Sequence, residues 1–315
     1  MTGQCPVLCI PYERYDIALK LQQAGRISSF PAATIRGGFG YTLRSLVCAA
    51  SRDTACKACI LRQACVYARV FEPSPPPGAP RLARVENIPR PFIISPRQDR
   101  ESLSVQLTLF GSAVVCLPYF IYTFNKLGTR GIGKDHVKYA VEKITDSRGA
   151  TVYPVDGANV RMDGPTQSLK IAPGTPAQGS VTLRFGTPLV IRENGAVAPT
   201  ITSRTLIATL LRRATNLNAF YGADPALKID PSPYLEAAAT LNVNTDMRPV
   251  RRSRFSTRQQ KDIDYSGMIG EIALAGDVGT LMPLLKAGEV MHVGKNTVFG
   301  YGGYELHRGA MDASK

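Results

Sequence analysis

The sequence is short of acid: 24 Asp and Glu stand against 38 Lys and Arg, a formal charge of +14. That imbalance builds a surface potential that draws in polyanions, and nucleic acid heads the expected partners. Histidine is scarce as well. His136, His292 and His307 are the only three, so an imidazole acting as acid or base must be one of them. No apolar run reaches the ~18 residues of a membrane-spanning helix, and there is no basic amphipathic helix, so a membrane is a poor partner. The amino terminus, MTGQCPVLCIPYERYD, has neither a charged leader nor an apolar signal core, which predicts a cytoplasmic protein.

Of what is present, the length of 315 residues corresponds to about two domains at roughly 150 residues each, both large enough to bury a core. Seven cysteines are an odd set for a secreted disulfide framework. Four of them, Cys48, Cys56, Cys59 and Cys65, follow the pattern C-x7-C-x2-C-x5-C. A tight C-x2-C pair with two further ligands brought in by a turn suits a closed four-thiolate site. Structural zinc is the first expectation, and an iron–sulfur cluster uses the same donors. Four reduced cysteines in a helical region are the plain alternative.

Periodicity gives the elements. RYDIALKL reads as an early strand, and Ile35, Phe39, Leu43, Leu46 and Val47 fall at helical spacing behind the Gly37-Gly38 pair. FEPSPPPGAPRLARVENIPRPFIISP is too rich in proline for helix and reads as a surface excursion. SLSVQLTLF alternates as a half-buried strand, and 113–127 suits a helix lying on the sheet, with Pro118 kinking it or near its start. From residue 180 the order returns. SVTLRFGTPLVI is a strand, and Ser203 could cap a helix burying Leu206, Ile207, Leu210, Leu211, Ala214 and Leu217. VRRSRFSTRQQ and SGMIGEIALAG read as strands, 281–285 as a short helix, and a glycine-rich stretch lies between two last strands. Strand, helix, strand, strand, helix, strand is the order of a ferredoxin-like or RNA-recognition-motif domain.

Three stretches bear on chemistry. In LGTRGIGKD, Gly128, Gly133 and Lys134 fit the start of a phosphate-cradling loop, but Asp135 stands where Ser or Thr must reach magnesium. Nucleotide hydrolysis is excluded, leaving a glycine turn with Lys134 and Lys138 available to a polyanion. In RPVRRSRFSTRQQK, Arg248, Arg251, Arg252, Arg254, Arg258 and Lys261 run without an acid, with Phe255 and Tyr265 as stacking surfaces. Cations interleaved with aromatics suit single-stranded or hairpin RNA, whereas a solvated face usually mixes signs. Finally, HVGKNTVFGYGGYEL carries Gly294, Gly300, Gly302 and Gly303 beside Lys295. Without Cβ atoms, backbone N–H groups there could approach phosphates or base edges directly; a β-hairpin with glycine bulges is the plain reading.

That last loop, with RFSTRQQKDIDYSGMIGEIALAGD before it, resembles the carboxy-terminal half of the CRISPR precursor-RNA processing endoribonucleases of the RAMP superfamily. IRGGFGYTLRSLVC, FEP, LPYFIYTFNKLGTRGIGK and VTLRFGTPLVI resemble the same family in the same order, so the likeness spans most of the chain. It implies an α+β protein of two tandem ferredoxin-like domains. These are placed at 1–175, with the cysteine-rich insertion at about 48–95, and at 176–315, with the glycine-rich loop.

The resemblance also implies metal-independent cleavage within CRISPR repeats. The ribose 2′-hydroxyl attacks the neighbouring phosphodiester, giving a 2′,3′-cyclic phosphate or 3′-phosphate and a 5′-hydroxyl, and the product hairpin stays bound. The partners are then repeat or guide RNA and other subunits of an interference complex. Many family members place a catalytic histidine near the first helix, where this chain has Tyr41 flanked by Arg36 and Arg44. Tyrosine is a poor base but can orient a hydroxyl, while Lys295 or Arg36 can steady the extra phosphate charge. His292, at the mouth of the loop, is the favoured acid or base, against the plain reading of a histidine satisfied by packing. A guide-RNA-binding subunit that cuts nothing, and a zinc-dependent DNA-binding protein, are the competing functions.

Overall fold

The computed structural model describes residues 6–309, apart from 24, 26, 28–29, 51–53, 76–87, 99–101, 155–158, 194, 199 and 257–260. It divides into two compact units: residues 10–168 with 220–223, and residues 169–219 with 224 onward plus the first nine residues.

The first unit begins with β1 (Leu8–Leu21), α1 (Pro31–Val47) and the short α2 (Val66–Phe71). It continues through β2 (Phe92–Gln98), β3 (Leu103–Phe110), α3 (Leu117–Arg130), β4 (Tyr139–Asp146) and β5 (Thr151–Tyr153). Its sheet runs β2-β3-β1-β4-β5, with β1 antiparallel to both neighbours. The alternation read in β3 buries Leu103, Val105, Leu107 and Leu109, but Thr108 and Phe110 are buried too, so the end of this strand is covered on both faces. Pro118 lies in the first turn of α3, behind a 3-10 turn over 111–116, where its missing N–H costs nothing.

Gly38 lets α1 close on α3: a Cβ there would lie 2.9 Å from Leu127 Cδ1. Phe39 meets Phe120 and Phe124 at centroid distances of 4.9 Å each, and Phe71 meets Phe92 at 5.0 Å. Each ring buried this way contributes roughly 1.5–3 kcal/mol. This corrects the reading of the proline-rich stretch as surface throughout, because Phe92, Ile93 and Ile94 at its end are core. Pro96 is tolerated there because, among the described residues, β2 is an edge strand that pairs with β3.

β6 (Gln167–Ile171) follows, and the second unit then runs β7 (Gln178–Leu189), a small hairpin of β8 (Arg192–Glu193) and β9 (Ala196–Val197), α4 (Ser203–Tyr221) and α5 (Ser232–Ala239). Next come β10 (Asn242–Val250), a second hairpin of β11 (Ser253–Ser256) and β12 (Lys261–Asp264), β13 (Gly267–Asp277), α6 (Val278–Met291) and β14 (Glu305–Arg308). Its sheet runs β10-β13-β7-β14, all antiparallel. Counting main strands by chain order, each sheet has the lateral order second, third, first, fourth. The chain is α+β with antiparallel sheets.

The apolar face expected of α4 is buried as written, but Ser203 is not its cap. Thr202 Oγ1 accepts from Thr205 N–H at 3.1 Å, while Ser203 Oγ donates to the Ala238 carbonyl at 2.7 Å. The strand expected over the basic run is also displaced: the sheet strand is β10, and of the basic residues after Val250, Arg254 and Lys261 fall on β11 and β12.

Candidate nucleic-acid interface

The glycine-rich stretch starts where α6 ends. Asp277 caps this helix, accepting from Thr280 Oγ1 at 2.6 Å and Thr280 N–H at 3.3 Å. At the other end Arg213 donates to the Met291 carbonyl, placing a cation on the helix's negative pole. His292 then turns the chain at φ 58°. Its ring is 7 % exposed, Nδ1 lies 3.2 Å from the Tyr301 carbonyl, and the ring packs on Gly303, where a Cβ would come within 2.8 Å of it. His292 thus brackets the two ends of the loop, and burial keeps its ring from a bulky substrate.

The glycines serve the loop's own closure. Gly302 sits at φ 65°, and a Cβ there would fall 1.7 Å from the Val293 carbonyl oxygen; Gly294, at φ 89°, would meet the Val190 carbonyl at 2.4 Å. The N–H groups expected to face phosphate are largely engaged. Gly302 N–H donates to Pro188 O, Lys295 N–H to Val190 O, Gly300 N–H to Thr297 O and Gly303 N–H to Thr187 Oγ1. The bare main chain therefore grips the end of β7, which corrects the expectation of a backbone cradle. Beyond it, the Tyr301 hydroxyl donates to Tyr265 O at 2.8 Å, and Tyr265 stacks edge-on against Phe299 at 5.4 Å.

What this platform presents is charge. Lys295 is exposed, and its ammonium is held below its ordinary value by partial burial and by the guanidinium of Arg192. Arg192, which sequence reasoning missed, follows directly on the apolar end of β7 and is exposed. A lysine depressed by a neighbouring guanidinium marks a place where an anion would be stabilised. Arg248 and Arg251 are exposed, and Arg252 is half-buried, its main chain tied to Ser266 Oγ and Tyr265 N–H. Arg254 and Lys261 lie on the β11–β12 hairpin, opposite Ile263 and Ser256. Arg258, and the side chains of Arg254, Phe255 and Lys261, lie outside the described residues.

The remaining candidates belong to the first unit. Tyr41 is 59 % exposed on α1 with the Arg130 guanidinium 4.7 Å over its ring, whereas Arg36 lies over Phe71 at 4.8 Å. Gly128 is a helix-packing residue whose Cβ would strike the Tyr139 carbonyl at 2.3 Å, so the stretch is a helix end and a tight turn that leaves Lys134 and His136 exposed. His307 is exposed on β14, 3.7 Å from Glu305.

The cysteines share a neighbourhood without forming a metal site. Cys56 is within electrostatic reach of Cys48 and Cys65, and burial pushes its thiol up. Yet among the described residues no three His, Cys, Asp or Glu side chains gather into a group able to hold a metal. Cys48 closes α1 with its thiol on the Ala50 carbonyl at 3.7 Å, Cys65 opens α2, and Arg44 stands among them, bonded to Cys48.

Fold and site define a basic α+β protein whose second sheet carries a closed loop topped by paired cations. A family model described as CRISPR-associated endoribonuclease Cas6 matches residues 183–304, and one described as an N-terminal domain matches 10–164. The match over 183–304 supports a CRISPR repeat-cleaving family of the Cas6, RAMP type. Among solved structures, a Cas6 product complex is similar over 94 % of this chain and 100 % of that one, at 17 % identity and TM-score 0.55. Thermus thermophilus Cas6 is similar over 95 % and 99 %, at 15 % identity and TM-score 0.53. A partial Cas6-RT-Cas1–Cas2 complex is similar over 99 % of this chain and 48 % of that one, at 12 % identity and TM-score 0.52. No curated protein matches. No helix among the described residues is long and apolar enough to cross a membrane.

Proposed function

We propose that this protein is an endoribonuclease that cuts precursor CRISPR RNA within its repeats, using no metal and keeping hold of the product hairpin. The observation that carries the reading is the Lys295–Arg192 pair on a loop inside the Cas6-matched segment. Both units are taken as ferredoxin-like domains, for which the repeated lateral strand order speaks.

In the reaction the 2′-oxygen bonds to phosphorus as its proton passes to solvent water, the bond from phosphorus to the 5′-oxygen breaks, and that oxygen takes up a proton. The products are a 2′,3′-cyclic phosphate and a 5′-hydroxyl. Arg192 and Lys295 stabilise the added negative charge on the phosphorane. Lys295, its ammonium drawn below the ordinary lysine range, is also the better proton donor to the leaving oxygen. Arg248 and Arg251 hold flanking phosphates. His292 acts through the loop it brackets, as a positioning residue. Other CRISPR proteins are the further partners, a reading supported by the Cas6-RT-Cas1–Cas2 likeness.

A radiolabelled repeat RNA incubated in excess EDTA, beside one with a single 2′-deoxy substitution at the cut, tests the reading. Cleavage of the first alone is expected; intact RNA in both lanes sinks it. The burial of His292 favours a second reading, a guide-RNA-binding subunit that does not cut, and a tight complex with intact RNA would select it.

A further inference from the structure

The outward side of α3 breaks the usual rule for a helix lying on a sheet, whose solvent face mixes charges of both signs. Its exposed row is Tyr119, Tyr122, Lys126 and Arg130, at spacings of three and four residues, and Val115 extends it across the preceding 3-10 turn. Tyr119 and Tyr122 are 45 % and 53 % exposed, large aromatic surfaces left in water. Lys126 Nζ stands 5.7 Å over the Tyr122 ring, and Arg130 crosses to α1 to cover Tyr41 at 4.7 Å. Neither α1 nor α3 carries an acid, although Arg36, Arg44, Lys126 and Arg130 lie on them.

We propose that this row is a second RNA-binding surface, taking a single-stranded segment whose bases stack on Tyr119 and Tyr122 while Lys126 and Arg130 follow its phosphates. Alternating rings and cations are what an unpaired strand requires, since every base has a π-face and every linkage a charge. At 1.5 Å per residue the row from Tyr119 to Arg130 extends about 16 Å, room for roughly five stacked nucleotides at 3.4 Å each. An acidic protein would find the cations but has no need of rings standing free. The surface lies wholly within the first unit. It rests on the reading of the protein as RNA-processing, because it names the unpaired flank of the repeat as its ligand.

The test uses the full chain and a fluorescein-labelled, unstructured ten-nucleotide RNA, read by anisotropy, with repeat cleavage measured in parallel. Tyr119→Ala with Tyr122→Ala should weaken the oligonucleotide at least 10-fold with melting temperature unchanged, and Phe at both positions should restore it to within about 3-fold. Lys126→Ala should lower the slope of log affinity against log salt by about one. Unchanged affinity in the alanine variant, or a phenylalanine variant as weak as alanine, overturns the proposal. So does an alanine variant that binds RNA normally but changes its sedimentation, since the face is then a protein contact. If repeat cleavage is absent in the parent while the oligonucleotide still depends on the two rings, the endoribonuclease reading fails and this surface stands.

Discussion

The turns at 131–136 and 292–302 are written in nearly the same letters and built for opposite ends. Each has glycines in the left-handed region, a Gly-Lys pair and a histidine at positive φ, 48° for His136 and 58° for His292. His136 is exposed, while His292 lies under the loop with Nδ1 on a carbonyl. Composition marks a turn near a cation; only packing decides whether its histidine meets solvent.

The sharpest way to test that contrast is at Gly302. Gly302→Ala sets a Cβ against the Val293 carbonyl and should cost more than about 3 kcal/mol, a fall in melting temperature of about 6 °C or more. Gly149→Ala, equally left-handed at φ 78° but with nothing within 4 Å, should cost only about 1 kcal/mol. Equal losses would show that strain, not closure, governs the loop.

Next in size, His292→Ala should lose about 2–3 kcal/mol in urea titration through its cavity and missing hydrogen bond. His136→Ala should stay within about 0.5 kcal/mol. A His292→Ala chain as stable as its parent but at least 100-fold slower in cleavage would return the imidazole to the chemistry. Smaller again, Lys295→Ala with Arg192→Ala should reduce repeat-RNA affinity about 10-fold at 0.1 M salt, and Lys134→Ala less than about 3-fold, measured by filter binding.

The smallest effect separates the units by acid. Burial alone would raise the buried Asp146 carboxyl, but bonds from Arg148 and from the Ala150 and Arg148 N–H groups more than offset it, and its pKa is lowered. Glu13 is likewise lowered against its burial, by Ser147 and Thr166. Their stabilisation is therefore present above about pH 4 and is lost as pH falls through the lowered values. Asp146→Asn should flatten the acid limb of a stability-versus-pH curve; an unchanged limb would remove this network from the account.

How legible this was depended on burial. The core faces of α4, β3 and β7 could be read because one side of each is apolar and alternation or helical spacing records it. β10 was missed because nearly every residue from Asn242 to Val250 is exposed, so no periodicity survives. Lys295 was found from its glycine neighbours, but Arg192 was not, since its partnership crosses a hundred residues of chain. The four cysteines show the limit of spacing: it permits a tetrahedral set, whereas among the described residues no three such side chains gather.

The bareness of β10 has its own use. It forms one border of its sheet, and a border with unpaired main chain invites the strand of another copy. Asp246 and Arg248 place charge along it and Pro249 removes a donor, so a second molecule arriving in register meets buried-charge penalties and a missing bond. Those features guard an exposed border against edge-to-edge pairing.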